Sequence, residues 1–157
     1  MDVLQRMGPP VAGQGAPGTP RGALTLRAPA TRSDASALRR EFRDWLCGLA
    51  DPDTVDDLTL AVYEALANVV DHAYATALSH GEMRLWAAVS PPLPGGRDLV
   101  VTVSDDGSWR RGQAAGWRGR GLPLMHTLAH ASVISGATGT TVQLRRRVAP
   151  APALVPA

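Results

Sequence analysis

Glu64 and Asn68 stand four residues apart in the stretch YEALANVVDHAY, Tyr63 to Tyr74. At about 100° per residue they share one helical strip with Asp71, while Val62, Ala65, Leu66, Val69 and Ala73 fall roughly opposite and should face a core. A carboxylate on that strip can take a proton from water or a hydroxyl. A carboxamide oxygen is a hard ligand suited to Mg²⁺, which prefers few protein ligands plus phosphates and water. Two further clusters follow in order. In VVTVSDDG, Asp105 closes a strand-like run and Gly107 follows in the turn; a carboxylate there can accept a hydrogen bond from an exocyclic amine such as that of adenine. In GRGL, Gly119 to Leu122, glycines lead into a helix start, where unpaired backbone N–H groups are open to phosphate and no Cβ blocks the approach. Taken singly these are a surface pair, a hairpin turn and a helix start. Their order along one chain is the more specific signal.

The elements that must carry these residues are legible from pattern. ALTLRAP alternates as a strand, and TRSDASALRREFRDWLCGLA reads as an amphipathic helix with Leu38, Phe42, Trp45, Leu46 and Leu49 inward. DPDT breaks it, and a second helix is expected from about Val55 to Leu78. EMRLWAAVS and DLVVTVSD form two antiparallel strands around the turn-rich PPLPGGR. DDGSWRRGQAAGWRGRG is a long glycine-rich loop, of a length that is usually functional or disordered. LPLMHTLAH is a short helix, and ASVISG and TTVQLRRRV close the domain around the turn ATG. This order predicts an α/β, two-layer sandwich, with helices on one face of a mixed, mostly antiparallel sheet. Residues 1–21, crowded with Gly and Pro, and residues 149–157 are expected to be disordered tails flanking one domain over 22–148.

Composition narrows the chemistry. All 16 basic residues are arginine, which removes the lysine-dependent P-loop, Schiff-base chemistry and lysine general bases. A net charge of +2 with dispersed arginines gives little support to nucleic-acid binding; Arg145 to Arg147 read as a strand end running into a tail. No run of about 18 apolar residues spans a membrane. The start lacks the apolar stretch of a secretory signal, and the single Cys47 suits a reducing cytoplasm and reads as a packing residue. His126 and His130 have helical metal-ligand spacing without a third ligand nearby. His72 and Asp106 read as locally bonded and turn residues.

The three clusters resemble the N-box, G1 box and G2 box of the histidine-kinase-like (GHKL) ATPases, whose ATP-binding fold is the Bergerat fold. More narrowly, LTLAVYEALANVVDHAY, VTVSDDGSWR, GRGLPLMHTLA and GTTVQLRRR resemble the RsbW-like anti-sigma-factor serine kinases, over about Ala23 to Val148. The resemblance implies Glu64 as general base, Asn68 as holder of Mg²⁺ bridging the ATP phosphates, and Asp105 as acceptor of the adenine amine above Gly107. It implies Gly119, Arg120, Gly121 and Leu122 at the phosphates, Thr140 beside the adenine-binding aspartate, and a lid over about Ser108 to Arg118. Trp109 stands where that family usually has a second G1 glycine. The implied activity is ATP-dependent phosphorylation of a serine on a small STAS-type anti-anti-sigma antagonist, with sequestration of a sigma factor. A homodimer is also implied, in the cytoplasm, with neither membrane nor direct nucleic-acid contact. The alternative is an ATP-binding regulatory module that transfers no phosphate and acts by protein contact alone.

Overall fold

Two polar side chains start the first two helices, the second of which carries Glu64 and Asn68. In the computed structural model, which describes residues 22–74, 81–108 and 121–149, Thr31 caps helix α1 (Arg32–Cys47) by accepting the Asp34 N–H at 3.1 Å. Asp51 caps α2 (Pro52–Asn68) by accepting the Thr54 N–H at 3.0 Å. Each satisfies a backbone donor that the first helical turn leaves unpaired. Pro52 presets the first residue of α2, so DPDT both separates the helices and begins the second, three residues before the expected Val55.

Leu38, Phe42 and Leu46 of α1 are buried as expected, whereas Trp45 and Leu49 pack only at the edge of the core. Cys47 is not a packing residue: it ends α1 on the exposed side, next to the buried Leu46. On α2 the expected inward residues Val62, Ala65 and Leu66 are all buried, and so are Val69 and Ala73 beyond its end. The expected single helix does not continue unchanged. After Asn68 the chain widens into a π-turn, Val69–Ala73, and leaves helical geometry at Tyr74; the remainder of the expected helix, to Leu78, lies outside the described residues.

The sheet has five strands in the order β1–β2–β3–β5–β4, with β1 Ala23–Pro29, β2 Glu82–Val89, β3 Arg97–Asp105, β4 His130–Gly136 and β5 Gly139–Val148. All four pairings are antiparallel. Among the described residues the expected parallel component is absent, because β4 and β5 form a hairpin that returns β5 against β3 after α3 (Gly121–Leu128). Helix α3 ends before His130, which starts β4, so His126 and His130 do not share a helix face.

Alternation on β2, β3 and β5 turns Met83, Leu85, Ala87, Leu99, Val101, Val103, Val142 and Leu144 toward Phe42, Leu46, Leu58, Val62 and Leu66. Burying a large apolar side chain contributes roughly 1.5–3 kcal/mol, so this layer fixes α2 on the sheet. Arg146 lies near the end of β5, as expected, and its guanidinium donates to Asp57 at 2.9 Å and to the Leu128 carbonyl at 3.0 Å. That one side chain joins β5 to α2 and to the end of α3.

Candidate functional site

The period-two pattern that buries Leu99, Val101 and Val103 also buries Asp105, the last residue of β3, which is 5% exposed. One of its carboxylate oxygens accepts the Gly107 N–H at 2.9 Å and the Thr140 N–H at 3.3 Å. A carboxylate bonding the N–H two residues ahead closes a local turn, so β3 stops here and the chain bends toward the end of α2. The Thr140 contact is through its backbone; its hydroxyl lies 3.2 Å from that of Ser135.

Glycine is required on both sides of this carboxylate. A Cβ on Gly107 would lie 2.2 Å from the Ala73 carbonyl oxygen, and the next residue, Ser108, donates its N–H to that same oxygen at 2.9 Å. Gly139 has φ +130°, and a Cβ there would lie 2.0 Å from the Asp105 carbonyl oxygen. The sequence reading missed Gly139 and the Ala73 carbonyl. Gly139 was visible only as the end of the turn ATG and the first residue of GTTVQLRRR, and nothing in sequence marks which carbonyl a π-turn will release.

Glu64 and Asn68 form the second half. Both are half-buried on α2 and both face Gly121, the first residue of α3. A Cβ on Gly121 would lie 2.9 Å from Glu64 Oε2 and 3.8 Å from Asn68 Nδ2. The missing side chain therefore opens the space where the carboxylate, the carboxamide and the start of α3 meet. Asp71 does not join them. The wider π-turn shifts the helical phase after Asn68, and Asp71 faces Arg32 across an exposed pair at 3.6 Å. Leu122 packs its side chain against the core, leaving only its backbone to face a ligand. Gly119 and Arg120, with all of the expected lid beyond Ser108, including Trp109 and Trp117, lie outside the described residues.

Asp106, beside the buried acceptor, is exposed and turned the other way. The Tyr74 phenol donates to it, and Arg84 lies 3.4 Å away. The phenol's hydrogen bond, helped by Arg84, holds the Asp106 carboxyl below its usual range. Partial burial, with Asp106 as the next cause, pushes the Tyr74 hydroxyl up to about 12. Among the described residues no three His, Cys, Asp or Glu side chains group as a metal centre, and no helix is long and apolar enough to cross a membrane. The arrangement therefore offers a buried acceptor braced by backbone amides at one end. At the other it offers a carboxylate and a carboxamide at a helix start.

Comparison with known proteins places the fold in a family. Residues 28–146 match the model of the histidine kinase-like ATPase domain. A solved structure of the RsbU and RsbW domains of Rv1364c from Mycobacterium tuberculosis is similar, with 32% identity and a TM-score of 0.64 over 82% of this chain and 33% of that one. The histidine kinase domain of the blue-light activated kinase from Erythrobacter litoralis EL346 aligns with 27% identity and a TM-score of 0.45, covering 60% of this chain and 45% of that chain. This chain thus spans about a third of the length of the first of these structures.

Proposed function

Since the chain belongs to the histidine kinase-like ATPase family and is RsbW-like within it, we propose that it is an ATP-dependent serine kinase of a partner-switching system. It would phosphorylate a small STAS-type antagonist and, in the alternate state, hold a sigma factor. The observation that carries this reading is the convergence of Glu64, Asn68 and Gly121 at the start of α3, in one domain with the buried, amide-braced Asp105.

The residues fit Mg-ATP. Asp105 is a buried acceptor, and an adenine amine is a donor. Gly107 and Gly139 keep Cβ atoms away from the turn beside it. The Asn68 amide oxygen is a hard donor for Mg²⁺ and would hold it against the phosphates. The α3 N-terminus, opened by Gly121, supplies backbone N–H groups of the kind that receive phosphate, with Gly119 and Arg120 proposed to extend that contact. ATP supplies the transferable phosphoryl group when bound, and the metal offsets its charge.

The protein's own work is positioning and proton transfer. Glu64 stands one helical turn before Asn68 and accepts the proton of an incoming serine hydroxyl at its carboxylate, orienting the oxygen for attack. The likeness to a protein with RsbU and RsbW domains supports the partner-switching context.

Two measurements test the proposal. Calorimetry with and without Mg²⁺ should detect ATP binding that Asp105→Asn weakens. Radiolabelled transfer from ATP to a purified STAS-type antagonist should label a serine. Wild-type protein that binds both ATP and antagonist yet labels nothing is a regulatory module, not a kinase.

A further inference from the structure

Tyr74 follows the π-turn and bonds both the residue after Asp105 and the start of β2, the strand paired with it. Its phenol oxygen lies 2.8 Å from the Glu82 carbonyl oxygen and also bonds the Asp106 carboxylate. In return it accepts the Asp106 N–H at 3.3 Å. The ring lies over Gly81, where a Cβ would come within 2.0 Å of ring carbons. Glycine at 81 is therefore the seat of the ring. Arg84 backs the arrangement, donating to Glu82 at 2.7 Å and to Asp106 at 3.4 Å.

The consequence is a double attachment. Ala73 holds Ser108 by a backbone hydrogen bond, and Tyr74 holds Asp106 by side chain and backbone together. The turn from Asp105 to Gly107 is thus gripped on both sides of Gly107, while strand pairing with Met83 fixes its near end. Asp105 accepts from the Gly107 N–H only in that turn geometry. Nothing in the chemistry proposed above uses the phenol, and the hydrophobic effect does not explain a tyrosine here where phenylalanine would fill the same space.

We propose that Tyr74 is a positioning residue for base recognition: its hydroxyl fixes Asp106, and through it the direction in which the Asp105 carboxylate faces the bound base. This rests on the ATP-binding reading above. A carboxylate set for an exocyclic amine attracts adenine and repels the carbonyl oxygen that guanine carries at the same position. The ratio of ATP to GTP affinity therefore reports Asp105 orientation. A tyrosine that merely supported the fold would lower both affinities together.

The test uses the full chain with Mg-ATP and Mg-GTP in calorimetry, alongside thermal unfolding. Tyr74→Phe should reduce ATP affinity by about tenfold, the size expected for losing one hydrogen bond to a charged group, and leave GTP affinity within about twofold. Asp106→Ala, at an exposed position, should reproduce the loss even if Tyr74→Phe folds poorly. Asp106→Asn keeps an oxygen acceptor and should restore most of the preference for ATP. An unchanged ATP-to-GTP ratio in both Tyr74→Phe and Asp106→Ala, against a wild type that discriminates, overturns the positioning role and leaves the ATP reading standing. A wild type that binds neither nucleotide overturns both.

Discussion

The Asp105 end of the site and the Glu64–Asn68 end are made of different materials. Around Asp105 the surroundings are backbone: two amide donors, a carbonyl shared with Ser108, and two glycines with no room for a Cβ. Around Glu64 and Asn68 they are half-buried side chains on one helix face and a single glycine at the start of another helix. Backbone geometry is set when the sheet and the π-turn form, so the acceptor end is organised before any ligand arrives. Side chains on a helix face keep rotamer freedom that a ligand must remove. The division suits the proposed chemistry, in which the base is recognised by a fixed acceptor while the proton acceptor and metal ligand adjust to the reacting groups.

This contrast can be broken by experiment, beginning where the effect is largest. Glu64→Ala should lower phosphate transfer by about 10²–10⁴-fold, the usual contribution of a general base, with ATP affinity nearly unchanged. A parallel fall in affinity would make Glu64 part of the rigid end. Gly107→Ala attacks the other side: its Cβ would meet the Ala73 carbonyl oxygen at 2.2 Å. It should destabilise the fold by about 1–3 kcal/mol, as overpacking does, and abolish detectable ATP binding; denaturant unfolding and calorimetry read the two effects. Asn68→Ala should leave binding of metal-free ATP in place but remove the gain in affinity that Mg²⁺ gives, measured by titration with and without the ion. Thr31→Ala, which removes the α1 cap and no residue of either end, should cost about 1 kcal/mol in unfolding without changing the ATP-to-GTP ratio.

The smallest effect is alkaline. The folded chain keeps the Tyr74 hydroxyl protonated to about 12, against an ordinary 10.0. Its raised value means that the stabilisation is whole below the ordinary value and is lost as pH rises through the folded one. Denaturant unfolding followed from pH 10 to 12 should show a loss of stability that Tyr74→Phe lacks.

Much of this was readable without coordinates, for identifiable reasons. Helical period located Glu64 and Asn68 because the core beneath them is continuous, from Val62 to Ala73. Strand alternation located Asp105, and the glycines marked turns. What stayed hidden was set by tertiary contact. Asp71 belonged to the same strip on paper, and only the π-turn removes it toward Arg32. Cys47 sat among apolar neighbours in sequence yet points outward, because one position along a helix is a rotation of about 100°. The antiparallel return of β5 depends on which strand it meets, and no local pattern encodes that. The roles assigned to Glu64, Asn68 and Asp105 remain proposals for the experiments above.

The π-turn carries a wider implication for how this helix is counted. A widened turn holds one residue more than regular α-helix would need to cover the same distance. Closing these same residues with hydrogen bonds of the regular spacing would turn everything after them by about 100°. The helix would become more regular, while the Ala73 carbonyl would no longer meet Ser108 and Tyr74 would leave Asp106. The same chain with an unbroken α-helix would then have a better helix and a blind acceptor. The surplus residue sets the phase between the proton-accepting strip and the base-reading turn, as the offset between two gears sets when their teeth meet.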